Sequence, residues 1–184
     1  MMSFSRLAGA CALFPVFLLV LLAPVAALAE PSMIYLVRHG EKLAEGKDPD
    51  LSPQGRQRAQ NIAAMLSKAG IAHIFSTPTN RTRQTAQPLA QASGLTVQEY
   101  DPRAPKALVE KVKALNGPVL VVGHSNTLSE LVRLFGGQPG PEIADNEYDR
   151  VYQLVYQLVY QPVSGPDAVT TVLFTSLPPT GPAP

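Results

Sequence analysis

Three polar clusters in this chain carry residue types that bind and transfer phosphate. Arg38 and His39 directly follow the apolar run Met33–Val37, and Arg81 and His124 each follow a later apolar run. Guanidinium groups are planar, permanently charged donors that suit phosphate oxygens. A neutral imidazole is a competent nucleophile near pH 7, because its unperturbed pKa is about 6.5. Together the clusters predict an anion pocket, and phosphate is the anion that suits it best.

Neighbouring residues favour the same chemistry. Gly40 has no Cβ and therefore permits close approach of the backbone to a phosphate. The helix expected after His124 adds backbone N–H groups and the positive end of its dipole. By contrast, Arg83 lies two residues beyond Arg81, so on a helix it is expected to point away from the pocket. His73 is expected to be a structural histidine.

The segments around these clusters alternate between strand-like and helix-like patterns. Short apolar runs predict strands at Met33–Val37, Ile71–Ser76, Leu95–Tyr100 and Pro118–Val122. Caps and apolar periodicity predict helices from Pro53, behind an N-cap at Ser52, to Gly70, over Asn80–Ser93, from Pro105 to Gly117, and from an N-cap at Thr127 to Phe135. This order predicts an α/β fold, a three-layer α/β/α sandwich with a mainly parallel sheet and helices on both faces. Such folds bind ligands at the carboxyl ends of their strands, where all three clusters lie.

The motifs LVRHGE, STPTNRTRQTA and VVGHS, in this order, resemble those of the histidine phosphatase superfamily, which includes the phosphoglycerate mutases and the acid phosphatases. The resemblance covers the chain from about residue 33 to 176. Within the superfamily the chain is most similar to small, secreted, single-domain members with a GHSNT motif and a segment like Asp145–Asp149. The fold that the resemblance implies is phosphoglycerate mutase-like.

The resemblance also implies a role for each residue of the clusters. His39 would be the nucleophile that becomes phosphorylated, and Arg38, Arg81 and His124 would hold the phosphoryl group. No metal ion or other cofactor would be required. The expected function is therefore a secreted phosphomonoesterase that hydrolyses a small-molecule phosphate ester through phospho-His39.

The proton donor for the leaving alcohol is the point at which the chain departs from its relatives. The acid phosphatases carry His-Asp where this chain has His124-Ser125, and the mutases carry an asparagine where it has Glu45. Asp101, at the end of the third predicted strand, is the first candidate, although it also fits an Asp-Pro turn. The other candidates are Glu99 and then Glu41.

Two other functions use the same residues. Because the usual proton donor of the acid phosphatases is missing, the second hypothesis is a catalytically idle domain that binds phosphate or a phosphosugar. A phosphomutase is the third hypothesis, and secretion argues against it, because phosphoglycerates and their bisphosphorylated primers are cytoplasmic metabolites.

Composition excludes several classes of protein. The formal net charge is +1, from 15 basic and 14 acidic residues, which is too balanced to indicate nucleic acid or an anionic membrane surface as a partner. Cys11 is the only cysteine, and it lies in residues 1–29, which are expected to be removed as a signal peptide. Thiol-based phosphatases and zinc–thiolate sites are therefore excluded. The chain also lacks a glycine-rich phosphate loop with Lys-Ser/Thr, which argues against an NTPase.

Residues 1–29 have the pattern of a secretory signal peptide. Arg6 is their only charged residue, Leu13–Leu28 is almost entirely apolar, and Ala27–Ala29 forms a small-x-small ending. We expect cleavage after Ala29 and a secreted or periplasmic protein without a stable membrane span, with an uncleaved anchor as the alternative. The predicted parts of the chain are 1–29, the signal peptide; 30–176, the histidine phosphatase domain; and 177–184, a disordered Pro-rich tail.

A short repeat follows the predicted helices. Residues 154–157 and 158–161 are both LVYQ. The β-branched and aromatic content favours a strand that pairs with Val169–Ser176, and a helix is the alternative. We expect no chemical role for this repeat.

Overall fold

The computed structural model describes residues 31–157 and 168–175. The predicted signal peptide, the second LVYQ unit and the predicted tail lie outside the described residues. The elements are β1 Met33–Arg38, α1 Pro53–Leu66, β2 His73–Ser76, α2 Asn80–Ser93, β3 Val97–Glu99, α3 Pro105–Lys113, β4 Val119–Gly123, α4 Ser125–Leu134, β5 Arg150–Gln157 and β6 Ala168–Thr175.

The strands form one sheet in the order β3-β2-β4-β1-β5-β6. The first four strands of that order run parallel, whereas β5 and β6 are antiparallel additions at one side. Arg38 pairs with Gly123 across β1 and β4, and Ser76 pairs with Val122 across β2 and β4. The carboxyl ends of β1, β2 and β4 are therefore neighbours, and the three polar clusters meet at this edge.

Helices cover both faces of the sheet. Alternate residues of a strand point to opposite faces, so Ile34 and Leu36 pack in a core with α3 and α4. Tyr35 and Val37 pack in a second core with α1 and α2. This confirms the predicted α/β fold with its three layers and mainly parallel sheet.

Local signals determine where the first two helices begin and end. The hydroxyl of Ser52 accepts a hydrogen bond from the backbone N–H of Gly55 at 3.1 Å, and Pro53 occupies the first helical position. The second helix ends at Gly94, whose φ of 66° is left-handed and therefore suits a residue without a Cβ.

Several boundaries differ from the predictions by a few residues, and two of these differences lie near the polar clusters. The fourth helix begins at Ser125 rather than after Thr127, and His124 is its N-cap. Thr127 still contributes a cap, because its hydroxyl accepts a hydrogen bond from the backbone N–H of His124 at 3.2 Å. The third strand is limited to Val97–Glu99, since its only partner is the four-residue β2.

The predicted pairing of the repeat region with the C-terminal strand is present where the structure describes it. Val151 pairs with Phe174, and Gln157 pairs with Ala168, in an antiparallel ladder. In the described part of the chain, no helix combines the length and the apolar character needed to cross a membrane.

Candidate active site

His39 and His124 are neighbours because their strands pair. The backbone N–H of His39 donates to the carbonyl of Gly123 at 3.0 Å, which extends the β1–β4 ladder by one residue. The ring centroids of the two histidines lie 5.3 Å apart at an angle of 66°. The sheet therefore brings together two histidines that are 85 positions apart in the sequence.

The ring of His39 is held in one orientation. Its Nδ1 lies 2.7 Å from the carbonyl oxygen of Gly40, and the residue is 4% exposed. A carbonyl oxygen only accepts hydrogen bonds, so Nδ1 carries the proton and Nε2 keeps its lone pair. This is the tautomer that a nucleophilic histidine requires.

Gly40 has a structural role that its sequence context did not indicate. A Cβ at Gly40 would lie 2.7 Å from the carbonyl oxygen of Gly55, and a Cβ at Gly55 would lie 2.0 Å from the carbonyl oxygen of Glu41. The backbone N–H of Gly40 also donates to the hydroxyl of Thr85 at 2.9 Å. The close approach at Gly40 is thus to the first helix, and it fixes the backbone next to His39.

Burial keeps both histidines neutral. Desolvation lowers the pKa of His39 to about 3 and the pKa of His124 to about 4. The charges of Arg81 and Arg38 act in the same direction on both rings. Near pH 7 the positive charge of the site therefore resides on the arginines, and the imidazoles are free bases.

These lowered pKa values predict an acid-sensitive fold. In the unfolded chain a histidine titrates near pH 6.5, so between about pH 6.5 and 4 the unfolded state binds more protons than the folded state. The free energy of unfolding should therefore be highest above about pH 6.5 and fall as the pH decreases through this window. Urea unfolding at pH 7.5 and 5.0 measures the effect, and a His39→Asn variant should show a smaller difference. Equal wild-type stabilities at the two pH values would contradict this prediction.

A chain of threonine hydroxyls holds His124. Its Nε2 lies 2.9 Å from the hydroxyl of Thr77, which lies 2.9 Å from the hydroxyl of Thr82. The Thr82 hydroxyl donates to backbone carbonyls, which favours Thr77 as donor to Thr82 and as acceptor from His124. Thr77 and Thr82 were not among the predicted site residues, although both lie in the STPTNRT motif.

The two predicted phosphate-binding arginines each contribute a nitrogen without a partner. The Nε atoms of Arg38 and Arg81 are the only buried side-chain nitrogens without a hydrogen-bond partner in the part of the chain that the structure describes. Buried donors are normally satisfied. An anion beside either Nε would supply the missing acceptor.

The Nη1 atoms of Arg38 and Arg81 contact acceptors in neighbouring loops. Nη1 of Arg38 donates to the carbonyls of Ala144 and Glu147 at 2.9 and 2.8 Å. Nη1 of Arg81 lies 3.4 Å from the carboxylate of Asp48. Both guanidinium groups are thus anchored before any ligand is present.

Glu41, the buried candidate for the proton donor, is already in an ion pair with Arg58. Glu41 is 8% exposed, and its carboxylate accepts hydrogen bonds from Nε and Nη2 of Arg58, the shortest at 2.6 Å. This pair packs the loop after the first strand against the first helix. Glu41 makes no hydrogen bond to either histidine of the site in the described structure.

The two exposed candidates are also paired. The carboxylate of Glu99 accepts from Arg83 at 2.7 Å, and that of Asp101 accepts from Arg103 at 3.0 Å. The hydrogen bonds from Arg103 hold the pKa of Asp101 below its usual range. Asp101 lies in a recess beside the histidines, and Arg103 lines both this recess and the histidine pocket.

The pocket at the histidines is open and polar. It has a volume of about 440 Å³ and contains His39, Arg81 and His124, with further walls from Pro102, Arg103, Ser125, Asn126 and Thr127. A second recess of about 370 Å³ continues from Ser125 and Asn126 along the fourth helix. In the described residues, no three His, Cys, Asp or Glu side chains are grouped so as to hold a metal ion.

The chain is similar to proteins of one family in its sequence. A family profile described as "Histidine phosphatase superfamily (branch 1)" matches residues 34–103. A curated relative from Escherichia coli, named "Probable phosphoglycerate mutase GpmB", is 35% identical over 104 residues. That match covers 53% of this chain and 44% of the relative, so the chain spans less than half the length of this curated relative.

Solved structures share the fold. A mycobacterial glucosyl-3-phosphoglycerate phosphatase in complex with inorganic phosphate has a TM-score of 0.55 at 16% identity, covering 79% of this chain and 96% of that chain. A phosphoserine phosphatase of Entamoeba histolytica in complex with 3-phosphoglyceric acid has a TM-score of 0.55 at 15% identity, covering 75% and 94%. The family profile ends before His124, so the profile match does not extend to this residue. The profile match over residues 34–103, the mutase-like relative and the shared fold support the histidine phosphatase superfamily as the family of this chain.

Proposed function

We propose that this protein is a phosphomonoesterase that works through a phosphohistidine on His39 and needs no metal ion. One observation carries the proposal: a buried, neutral His39 with an unprotonated Nε2 shares a pocket with His124 and Arg81. The charge of Arg38 also acts on both histidines, and in the described residues the Nε atoms of both arginines have no hydrogen-bond partner. A nucleophile and unsatisfied cationic donors are the two things that phosphoryl transfer requires of a protein.

The reaction has two displacement steps. Nε2 of His39 attacks phosphorus, an N–P bond forms, and the bond from phosphorus to the leaving oxygen breaks. The leaving oxygen takes a proton and departs as an alcohol. Water then attacks the phosphohistidine and gives a proton to the carboxylate that protonated the leaving oxygen. The N–P bond breaks, and orthophosphate leaves with His39 neutral again. Throughout, Arg38 and Arg81 stabilise the charge on the non-bridging oxygens. His124 would donate its Nε2–H to one of these oxygens in place of the Thr77 hydroxyl.

We propose Asp101 as the proton donor, with Glu99 as the alternative. The ion pair of Asp101 with Arg103 is exposed, so water screens it and it opens at little cost. Arg103 also lines the histidine pocket, where an anionic substrate would attract it. Without Arg103, the pKa of Asp101 would rise toward its ordinary value, which makes the carboxyl group easier to protonate.

We propose a hydroxylated leaving group, such as a sugar, encountered outside the cytoplasm. The recess along the fourth helix is lined by hydroxyl, amide, carboxylate and guanidinium groups, including those of Asn126, Ser129 and Arg133. These groups match hydroxyls better than they match an aromatic ring. A phosphatase with the same fold is named for a glucosyl-phosphoglycerate substrate, and the predicted signal peptide favours a secreted or periplasmic location.

Two alternative functions each rest on one observation. The ion pairs at Asp101, Glu99 and Glu41 favour an idle phosphate-binding domain, because each candidate donor already has a cationic partner. The name of the curated relative favours a phosphomutase. An idle domain would bind orthophosphate without turnover, and a mutase would move phosphate between two positions of one substrate.

Trapping the covalent intermediate tests the proposal. An aryl phosphate is the appropriate first substrate, because its leaving group is acidic and needs little help from a proton donor. With a ³²P-labelled aryl phosphate in EDTA, we expect phosphate release and a protein-bound label that survives an alkaline quench and is lost in acid. Orthophosphate binding without label or release would instead establish the idle domain.

A further inference from the structure

An arginine outside the pocket is buried beneath the loop that connects the fourth helix to the fifth strand. Arg150 is the first residue of β5 and is 7% exposed. It does not line the histidine pocket. A buried guanidinium is normally paired with hydrogen-bond acceptors, so the partners of Arg150 show what it holds in place.

All the partners of Arg150 lie in that loop or on its own strand. Its Nε and Nη2 donate to the two carboxylate oxygens of Glu147, with Nη2 at 2.8 Å. Its Nη1 and Nη2 also donate to the backbone carbonyls of Pro141 and Glu142, and Nη1 contacts the hydroxyl of Tyr152 at 3.1 Å. Arg150 therefore fixes the loop from residue 141 to residue 147 around one charge.

The same loop holds Arg38 on its other side. The carbonyls of Ala144 and Glu147 accept both hydrogen bonds of Arg38 Nη1, and the Tyr148 ring lies 4.1 Å from Arg38 Cζ. Glu147 thus binds one arginine through its carboxylate and the other through its backbone carbonyl. The Glu147 carboxylate also accepts from the backbone N–H of Ala144 at 3.3 Å, which ties the two carbonyls together.

This arrangement determines which face of Arg38 meets a ligand. With Nη1 bound to the loop and the ring of Tyr148 against the guanidinium plane, Nε is left buried and without a partner. A long arginine side chain loses rotamer entropy when it is fixed. Fixing it before the substrate binds removes that cost from the binding step and favours catalysis.

We propose that the Glu147–Arg150 ion pair is a positioning device that orients Arg38 for the phosphoryl group. This inference rests on the proposed phosphate site. The pair touches no reacting atom, so it acts through Arg38 alone. Its effect should therefore appear in substrate and phosphate affinity and vanish when Arg38 is replaced.

A double-mutant cycle tests this dependence. Arg150→Lys keeps the charge but loses the two-pronged contact with Glu147, and Glu147→Gln keeps the shape but loses the charge. Each is made in the wild-type and in the Arg38→Lys background, and orthophosphate affinity and kcat/KM are measured on the purified protein. The matched control is Arg56→Lys, which removes a guanidinium-to-carbonyl bond to Leu51 at 2.7 Å in another loop.

The expected result is a non-additive cycle. Either change alone should weaken orthophosphate binding and kcat/KM by about tenfold or more, and by about twofold or less once Arg38 is lysine. The Arg56→Lys control should show no such coupling to Arg38. If Arg150→Lys lowers thermal stability too far for assay, Glu147→Gln supplies the cycle, because Arg150 keeps its carbonyl and hydroxyl acceptors.

The outcomes separate this inference from the proposed function. Equal losses in both backgrounds, or no loss, would overturn the positioning role while wild-type turnover upheld the phosphatase. A wild-type protein that binds orthophosphate without turnover would overturn the phosphatase, and the binding cycle would still decide the positioning role. A wild-type protein that neither binds nor turns over would overturn both.

Discussion

Replacing His39 with alanine is expected to abolish phosphate release, with a loss on the order of 10⁴-fold or more. The buried imidazole presents the nucleophilic nitrogen, because Nδ1 is committed to the Gly40 carbonyl at 2.7 Å. Alanine leaves no group that could form the phosphoenzyme. Steady-state release from an aryl phosphate in EDTA, with and without the change, measures the effect.

His73→Ala is the matched control for this experiment. His73 begins the second strand, and its Nε2 lies 3.2 Å from the carbonyl of Asn116. The polar clusters lie at the carboxyl ends of the strands, so His73 is at the opposite edge of the sheet. We expect near wild-type activity from this variant. Unchanged activity in His39→Ala would refute the phosphohistidine mechanism, whatever the control shows.

Replacing Arg81 with alanine is expected to lower kcat/KM by about 10²- to 10³-fold. Its Nε is buried without a partner in the described structure, and its side chain lines the histidine pocket. A fixed donor directed at charge that develops in the transition state stabilises that state more than it stabilises the bound substrate. Kinetics with an aryl phosphate, and the affinity for orthophosphate, should both report the loss.

Arg83→Ala is the comparison, because it removes the same side chain two residues away. Arg83 is bonded at the surface to Glu99 at 2.7 Å and to Asn80 at 3.0 Å. Residues two apart on a helix do not share a face, so we expect a change of less than about threefold. Comparable losses at Arg81 and Arg83 would mean that general positive charge, rather than a directed donor, binds the anion.

Local signals in the sequence were sufficient for most of the framework. Ser52 and Pro53 predict the start of the first helix, and Gly94 predicts the end of the second, because caps act within a few residues. Apolar runs predict the central strands, and the rule that ligands bind at strand ends placed Arg38, His39, Arg81 and His124 at one edge of the sheet. The fold and the residues of the candidate phosphate site are therefore readable from the sequence.

Tertiary structure alone decided what surrounds that pocket. The partner of Glu41 is Arg58 on the first helix, and the anchors of Arg38 lie 106 and 109 residues away in the loop that Arg150 holds. Caps and periodicity depend on neighbours along the chain. The pairing of a charged side chain depends on which loops the sheet brings together. For this reason the sequence could name a candidate nucleophile and candidate phosphate ligands, while the ion pairs of the candidate proton donors and the loop contacts of Arg38 required the folded chain.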